Sequence, residues 1–105
     1  MLHDFHIITI PIFGKVYNLY VAETNTQKKK GLSGIIKMPK NHGMIFPYHD
    51  DRVRTFVFRD TLIPIDVYFI DFNGRVVHKS SVGSRDTTKV TSKDPCRYVI
   101  EIPSE

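Results

Sequence analysis

The chain has a single cysteine, Cys96, and no tryptophan among its 105 residues. One cysteine excludes an internal disulfide, so the fold rests on packing and hydrogen bonds; this agrees with a reducing compartment. No apolar run approaches the roughly 18 residues that a membrane-spanning helix needs, so no membrane partner is expected. The opening MLHDFHIITIPIF has no basic stretch and no small-residue cleavage site, and Pro11 interrupts it. It reads as a first strand and not as a secretory leader, which makes the cytoplasm the expected location. Repeats, low-complexity tracts and linkers are missing. So are a glycine-rich phosphate loop, a nucleophile elbow and a dinucleotide fingerprint, and no cofactor is expected.

What is present fits one compact domain over residues 1–105. The apolar fraction of 41% is ordinary for a soluble globular protein. The net charge of +4 could attract anions, but the basic residues are scattered. Their one run, Lys28-Lys29-Lys30, suits a solvated helix face better than a nucleic-acid patch.

Short β-branched and aromatic runs predict strands at Phe5–Ile10, Lys15–Ala22, Gly43–Tyr48, Val53–Phe58, Asp66–Phe72, Arg75–Val82 and Arg97–Ile102. Pro47 suggests an edge or a strand end, and His49-Asp50-Asp51 reads as a polar turn. Phe13-Gly14 and Asn73-Gly74 read as hairpin turns, the second of type I′. One helix is predicted after the second strand: Thr24 caps it, Gln27 completes a capping box, three lysines fill the last turn, and Gly31 stops it. Gly83–Asp94 reads as a long polar loop. The fold class is mainly β: a small β-sandwich, jelly-roll-like or barrel-like domain with one short helix. Phe56, Phe58, Val67, Phe69, Ile70, Val76, Val99, Ile100, Ile45 and Leu32 are its expected core.

The stretch TFVFRDTLIPIDVYFIDF, residues 55–72, is apolar enough for the core yet carries Arg59, Asp60, Asp66 and Asp71. Burying such groups is costly unless they are paired, so the segment is either a polar knot or the wall of a site.

The order Gly31-Leu32 … His42-Gly43-Met44-Ile45-Phe46 … Thr61-Leu62-Ile63-Pro64-Ile65-Asp66 … Pro95-Cys96-x-Tyr98-Val99-Ile100-Glu101 resembles domain-of-unknown-function family 192. The Thr-Leu-Ile-Pro-x-Asp core and the closing Pro-Cys-x-Tyr-x-x-Glu are its specific parts. The resemblance implies a mostly β, jelly-roll-like fold with a short helix after the second strand, and implies no activity. Three features depart from the family pattern. Phe58-Arg59-Asp60 replaces Met-Lys-Asn, which allows an Arg59–Asp60 or Arg59–Asp66 pair. Gly31-Leu32-Ser33 replaces Gly-Leu-Met. The glycine-containing tail that adds a strand in other members does not follow Pro103.

The first functional expectation is a non-enzymatic binding or accessory domain for a small polar ligand, a saccharide being one class. Arg59, Asp60, Thr61, Asp66, Tyr68, Tyr98 and Glu101 are its candidate site residues, with Tyr48 or Tyr68 stacking. The structural alternative is that Asp66 locks its loop by accepting hydrogen bonds. Glu101, on the opposite strand face from Tyr98, Ile100 and Ile102, is expected to face solvent or pair with a base. The second expectation is a hydrolase-like enzyme that uses Asp66 and Glu101 as a carboxylate pair. The third is an assembly module, for example a homodimer, joined through an open sheet edge. Cys96 lacks a catalytic-cysteine context and reads as a structural thiol. His3 and His6 fall on opposite strand faces, so no metal site is expected.

Overall fold

The computed structural model describes residues 2–104. Among them the elements run β1 (His6–Ile12), β2 (Lys15–Val21), α1 (Asn25–Lys30), β3 (His42–Arg52), β4 (Thr55–Phe56), β5 (Ile65–Ile70), β6 (Val76–Val82), β7 (Val90–Thr91) and β8 (Cys96–Pro103). Six strands form one mixed, open sheet in the order β1-β2-β3-β8-β5-β6. The β2–β3 pair is parallel and the other neighbours are antiparallel. β4 and β7 make a separate two-stranded ribbon. The protein is therefore mainly β with one short helix after the second strand, and its sheet does not close into a barrel.

Side-chain alternation gives the sheet two apolar faces. On one face Met44, Phe46, Val67, Phe69 and Val99 pack beneath Leu32, Ile35, Phe58 and Val90 from the overlying segments. The Phe56 ring, from the ribbon, sits edge-on to Phe46 and Phe69 at 5.3 and 6.0 Å between centroids. Each large side chain buried here contributes roughly 1.5–3 kcal/mol. On the other face Tyr17, Leu19, Ile70, Ile100 and Ile102 form a second cluster. The sheet curls over this cluster until the tip of the β1–β2 hairpin reaches β5, where Phe13 stacks on Tyr68 at 4.1 Å.

Helix α1 follows the sequence signal closely. The Thr24 side chain accepts the Gln27 N–H, Gln27 reaches back to the Thr24 N–H, and Gly31 ends the helix at φ 50°.

Several expectations are corrected. β3 runs on through His49-Asp50-Asp51, which was expected to turn. Pro47 lies beyond Val21–Ile45, the last β2–β3 pair, so it has the edge position expected of it and its missing N–H costs no ladder bond to β2. Only Thr55–Phe56 of the expected Val53–Phe58 strand is paired, and its partner β7 lies within the segment expected to be a plain loop. Ser92 fixes that segment: its Oγ accepts the Arg54 N–H at 2.9 Å and donates to the Asp94 carbonyl at 2.7 Å. The β5–β6 connection is not a type I′ turn. Gly74 has φ 84° but Asn73 keeps a negative φ, and the Asp71 carboxylate accepts the N–H groups of Asn73 and Arg75 instead. The hairpin with two positive φ values is Phe13-Gly14, at 51° and 77°. Of the expected core, Val76 is 47% exposed, and Ile45 and Phe56 are half-buried.

Candidate functional site

The most unusual side chain in the fold is Glu101, only 3% exposed. It sits on β8 between Met44 of β3 and Val67 of β5, its cross-strand partners, and so points into the larger apolar cluster. Burial pushes its carboxyl from an ordinary 4.5 up to about 8, and among the described residues neither a cation nor a hydrogen-bond donor offsets it. The carboxyl is thus held neutral near pH 7, when it is both a hydrogen-bond donor and an acceptor. Glu101 and buried Thr61 line a hollow of about 40 Å³ together with Phe46, Phe58 and the Gly31–Ser33 turn. That is room for roughly one water-sized group. Thr61 is placed by its backbone: its N–H donates to the Phe58 carbonyl, and its carbonyl accepts the Arg85 N–H at 2.8 Å.

The hollow shares Lys28, Lys29, Phe56 and Val57 with a larger cleft of about 370 Å³, completed by Asn25, Tyr48 and Thr55. The strand pattern creates this cleft. β2 stops pairing with β3 at Val21–Ile45, while β3 continues to Arg52. The chain turns away through the Thr24 cap, and α1 lies beside the uncovered part of β3. Lys28 stands at the junction. Its Nζ donates to the Glu23 carbonyl at 3.0 Å and lies 5.0 Å from the Tyr48 ring. Arg54 stacks against the same ring at 3.6 Å and is held by Asp50 and the Cys96 carbonyl. Desolvation first, then the nearby Arg54 charge, lowers the Lys28 amine from its ordinary value. Burial raises the Tyr48 phenol.

The expected site residues do not converge on one rim. Arg59 and Asp60 are exposed, and among the described residues no ion pair joins Arg59 to Asp60 or Asp66. Thr61 and Glu101 meet at the hollow. Asp66 projects from the opposite sheet face, the one carrying Tyr68 and Tyr98. There its Oδ1 accepts the hydroxyls of Ser81 at 2.7 Å and Ser104 at 2.9 Å, which ties β5, β6 and the end of β8 together. This is a structural lock, made with hydroxyl donors. Asp66 and Glu101 therefore form no carboxylate pair, and Glu101 does not face solvent, because both faces of this sheet are covered. Tyr68 is engaged by Phe13, with Lys79 Nζ 5.3 Å from its ring. Tyr98 is half-buried and borders a shallow depression shared with Lys28 and Tyr48. Cys96 is fully buried, and burial raises its thiol. Sequence reasoning missed Lys28, Lys29, Phe56 and Val57 as cleft walls. The capping box located the lysines on α1, but no local signal showed which strand α1 would lie against.

The profile of domain-of-unknown-function family 192, described as an uncharacterized ACR, matches residues 8–105. The chain belongs to that family. No curated protein matches it. Two crystal structures share its fold. One is described as a "putative transcription regulator" from Sinorhizobium meliloti 1021, with 25% identity and a TM-score of 0.78 over 93% of this chain and 78% of that one. The other is a protein of unknown function from Novosphingobium aromaticivorans DSM 12444, with 25% identity and a TM-score of 0.81 over 95% of this chain and 74% of that one. Among the described residues no helix is long and apolar enough to cross a membrane.

Proposed function

We propose that this protein is a non-enzymatic binding domain that takes a small polar ligand in the cleft between α1 and β4. The observation that carries this reading is the descent of the cleft, past Lys28 and Phe56, to two buried polar side chains, Thr61 and Glu101. Ligand sites combine apolar walls with a few placed polar groups, and a volume of about 370 Å³ suits a monosaccharide-sized molecule. Asp60 and Asp66 lie outside this cleft, which separates the reading from a site built on the whole Arg59–Asp66 segment. An enzyme built on a carboxylate pair has no geometric support, since Asp66 and Glu101 project from opposite sheet faces.

The test is a ligand array of neutral sugars, sugar acids and hydroxycarboxylates, followed by calorimetry. Binding is expected to be lost in Phe56→Ala and weakened in Lys28→Ala, and kept in Asp60→Ala and Asp66→Ala. An array without a binder at millimolar concentration, or binding indifferent to Phe56→Ala, overturns it. The regulator-like neighbour makes duplex DNA a useful control, for which no binding is expected at physiological salt.

A further inference from the structure

Resting on that reading, we infer the chemical class of the ligand: an organic anion whose charged group meets Lys28 and Lys29 at the rim while a neutral hydroxyl or carbonyl enters the hollow beside Glu101 and Thr61. Two features of the cleft set this polarity. The rim is basic, with Lys28 and Lys29 on its helical wall and Lys30 beside them at the mouth of the hollow. An ammonium interacts well with a carboxylate or phosphate as a point charge. The floor is different. Glu101 is enclosed by Met44, Val67 and Phe46, so a second charge brought beside it would be desolvated without a counter-ion.

The hollow of about 40 Å³ also admits only a small group. An oxygen there would accept from or donate to the neutral Glu101 carboxyl and the Thr61 hydroxyl. A neutral, uncharged floor beneath a cationic rim thus selects for a molecule that is anionic at one end and hydroxylated at the other. A sugar acid and a sugar phosphate share that chemistry.

Calorimetry with the full chain tests this with four probes: glucuronate, glucose 6-phosphate, glucose and hexanoate. Glucuronate or glucose 6-phosphate is expected to bind at least about tenfold more tightly than glucose or hexanoate. Whichever anion binds more tightly identifies the charged group as carboxylate or phosphate. The Lys28→Ala/Lys29→Ala variant is expected to lose about tenfold or more for the anionic probe and to leave glucose unchanged.

At the floor, Thr61→Val and Glu101→Leu are expected to reduce the binding of the hydroxylated anion to the level of hexanoate. Glu101→Gln, which keeps a donor and an acceptor, is expected to retain it. Affinity for the anion is also expected to fall between about pH 7 and pH 9 in the wild type as Glu101 ionises. The other titratable groups facing the hollow and cleft, Lys28, Lys29, Lys30 and Tyr48, remain in Glu101→Gln. The drop should vanish in that variant if Glu101 causes it.

Glucose or hexanoate binding in the cleft as tightly as the anions overturns this inference and leaves the binding-domain reading intact. Unchanged anion binding in Thr61→Val overturns the floor assignment even if the Glu101 variants do not fold. No binding by any of the four overturns this inference, and the binding-domain reading then falls only if the wider array also yields no binder.

Discussion

Asp66 and Glu101 sit on adjacent strands yet leave opposite faces of the same sheet. Val67, the next residue after Asp66, is the cross-strand partner of Glu101. A single step along a strand thus separates a carboxylate locked by two serine hydroxyls from one sealed in the apolar interior.

The buried acid should shape the pH dependence of stability. In the folded state Glu101 titrates near 8 against an ordinary 4.5, so between these values the folded chain binds more protons than the unfolded one. Stability is then fully present below the lower value and falls as pH rises through the window, by up to about 1.4 kcal/mol per unit. Asp50, Asp71 and Asp86 are held below their ordinary range, chiefly by the Arg54 side chain and the Arg75 and Thr88 N–H groups. Their opposite slopes therefore lie at lower pH. Guanidinium unfolding of the wild type should show a steady loss from mildly acidic to mildly alkaline pH, and Glu101→Gln should flatten it. Parallel profiles for the two proteins would refute the assignment.

Gly43 is required by a close approach of two strands. A Cβ there would lie 2.5 Å from the Glu101 carbonyl oxygen and 3.1 Å from Leu19 Cδ2. Gly43→Ala must push β3 away from β8, at a cost of about 1–3 kcal/mol. Chemical denaturation measures it, and a variant as stable as the wild type would show that the strands separate freely.

The Phe13–Tyr68 stack closes the curl of the sheet at 4.1 Å and 22° between ring planes. Phe13 takes a positive φ of 51°, where asparagine is better suited. Phe13→Asn therefore relaxes the turn while removing a ring contact worth about 0.5–1.5 kcal/mol beyond its buried area. The net expectation is a loss of about 1 kcal/mol and a lower midpoint of thermal unfolding. A gain in stability would mean that the turn, and not the stack, governs this corner.

The wall of the cleft depends on a helix of only six residues. Such a helix is marginal without its cap. Thr24→Ala should cost about 1 kcal/mol and Thr24→Ser far less. Hydrogen exchange of the α1 amides should rise in the alanine variant alone. Equal protection in both would show that packing, and not the capping box, holds α1.

The local elements were legible wherever a local rule decides them. The Thr24–Gln27 box, the Gly31 stop and most strands follow from residue types within a few positions of one another. Pro47 was legible as an edge residue, because β2 stops two residues short of it. Asn73-Gly74 misled because Asp71 offers the turn its own side-chain acceptor. The candidate site was half legible. Thr61 and Glu101 were singled out as polar residues of apolar segments, whereas Asp66, grouped with them, leaves the opposite sheet face and Arg59 is exposed.

The amino-acid sequence by itself determined that the chain is mainly β with one capped helix, because propensity, alternation and capping act between near neighbours. Which carboxylate is sealed and which is solvated, and where α1 comes to rest, only the tertiary structure decided. Those outcomes depend on which strands pair across the sheet and on what covers each face, and the groups that settle them are far apart in the chain.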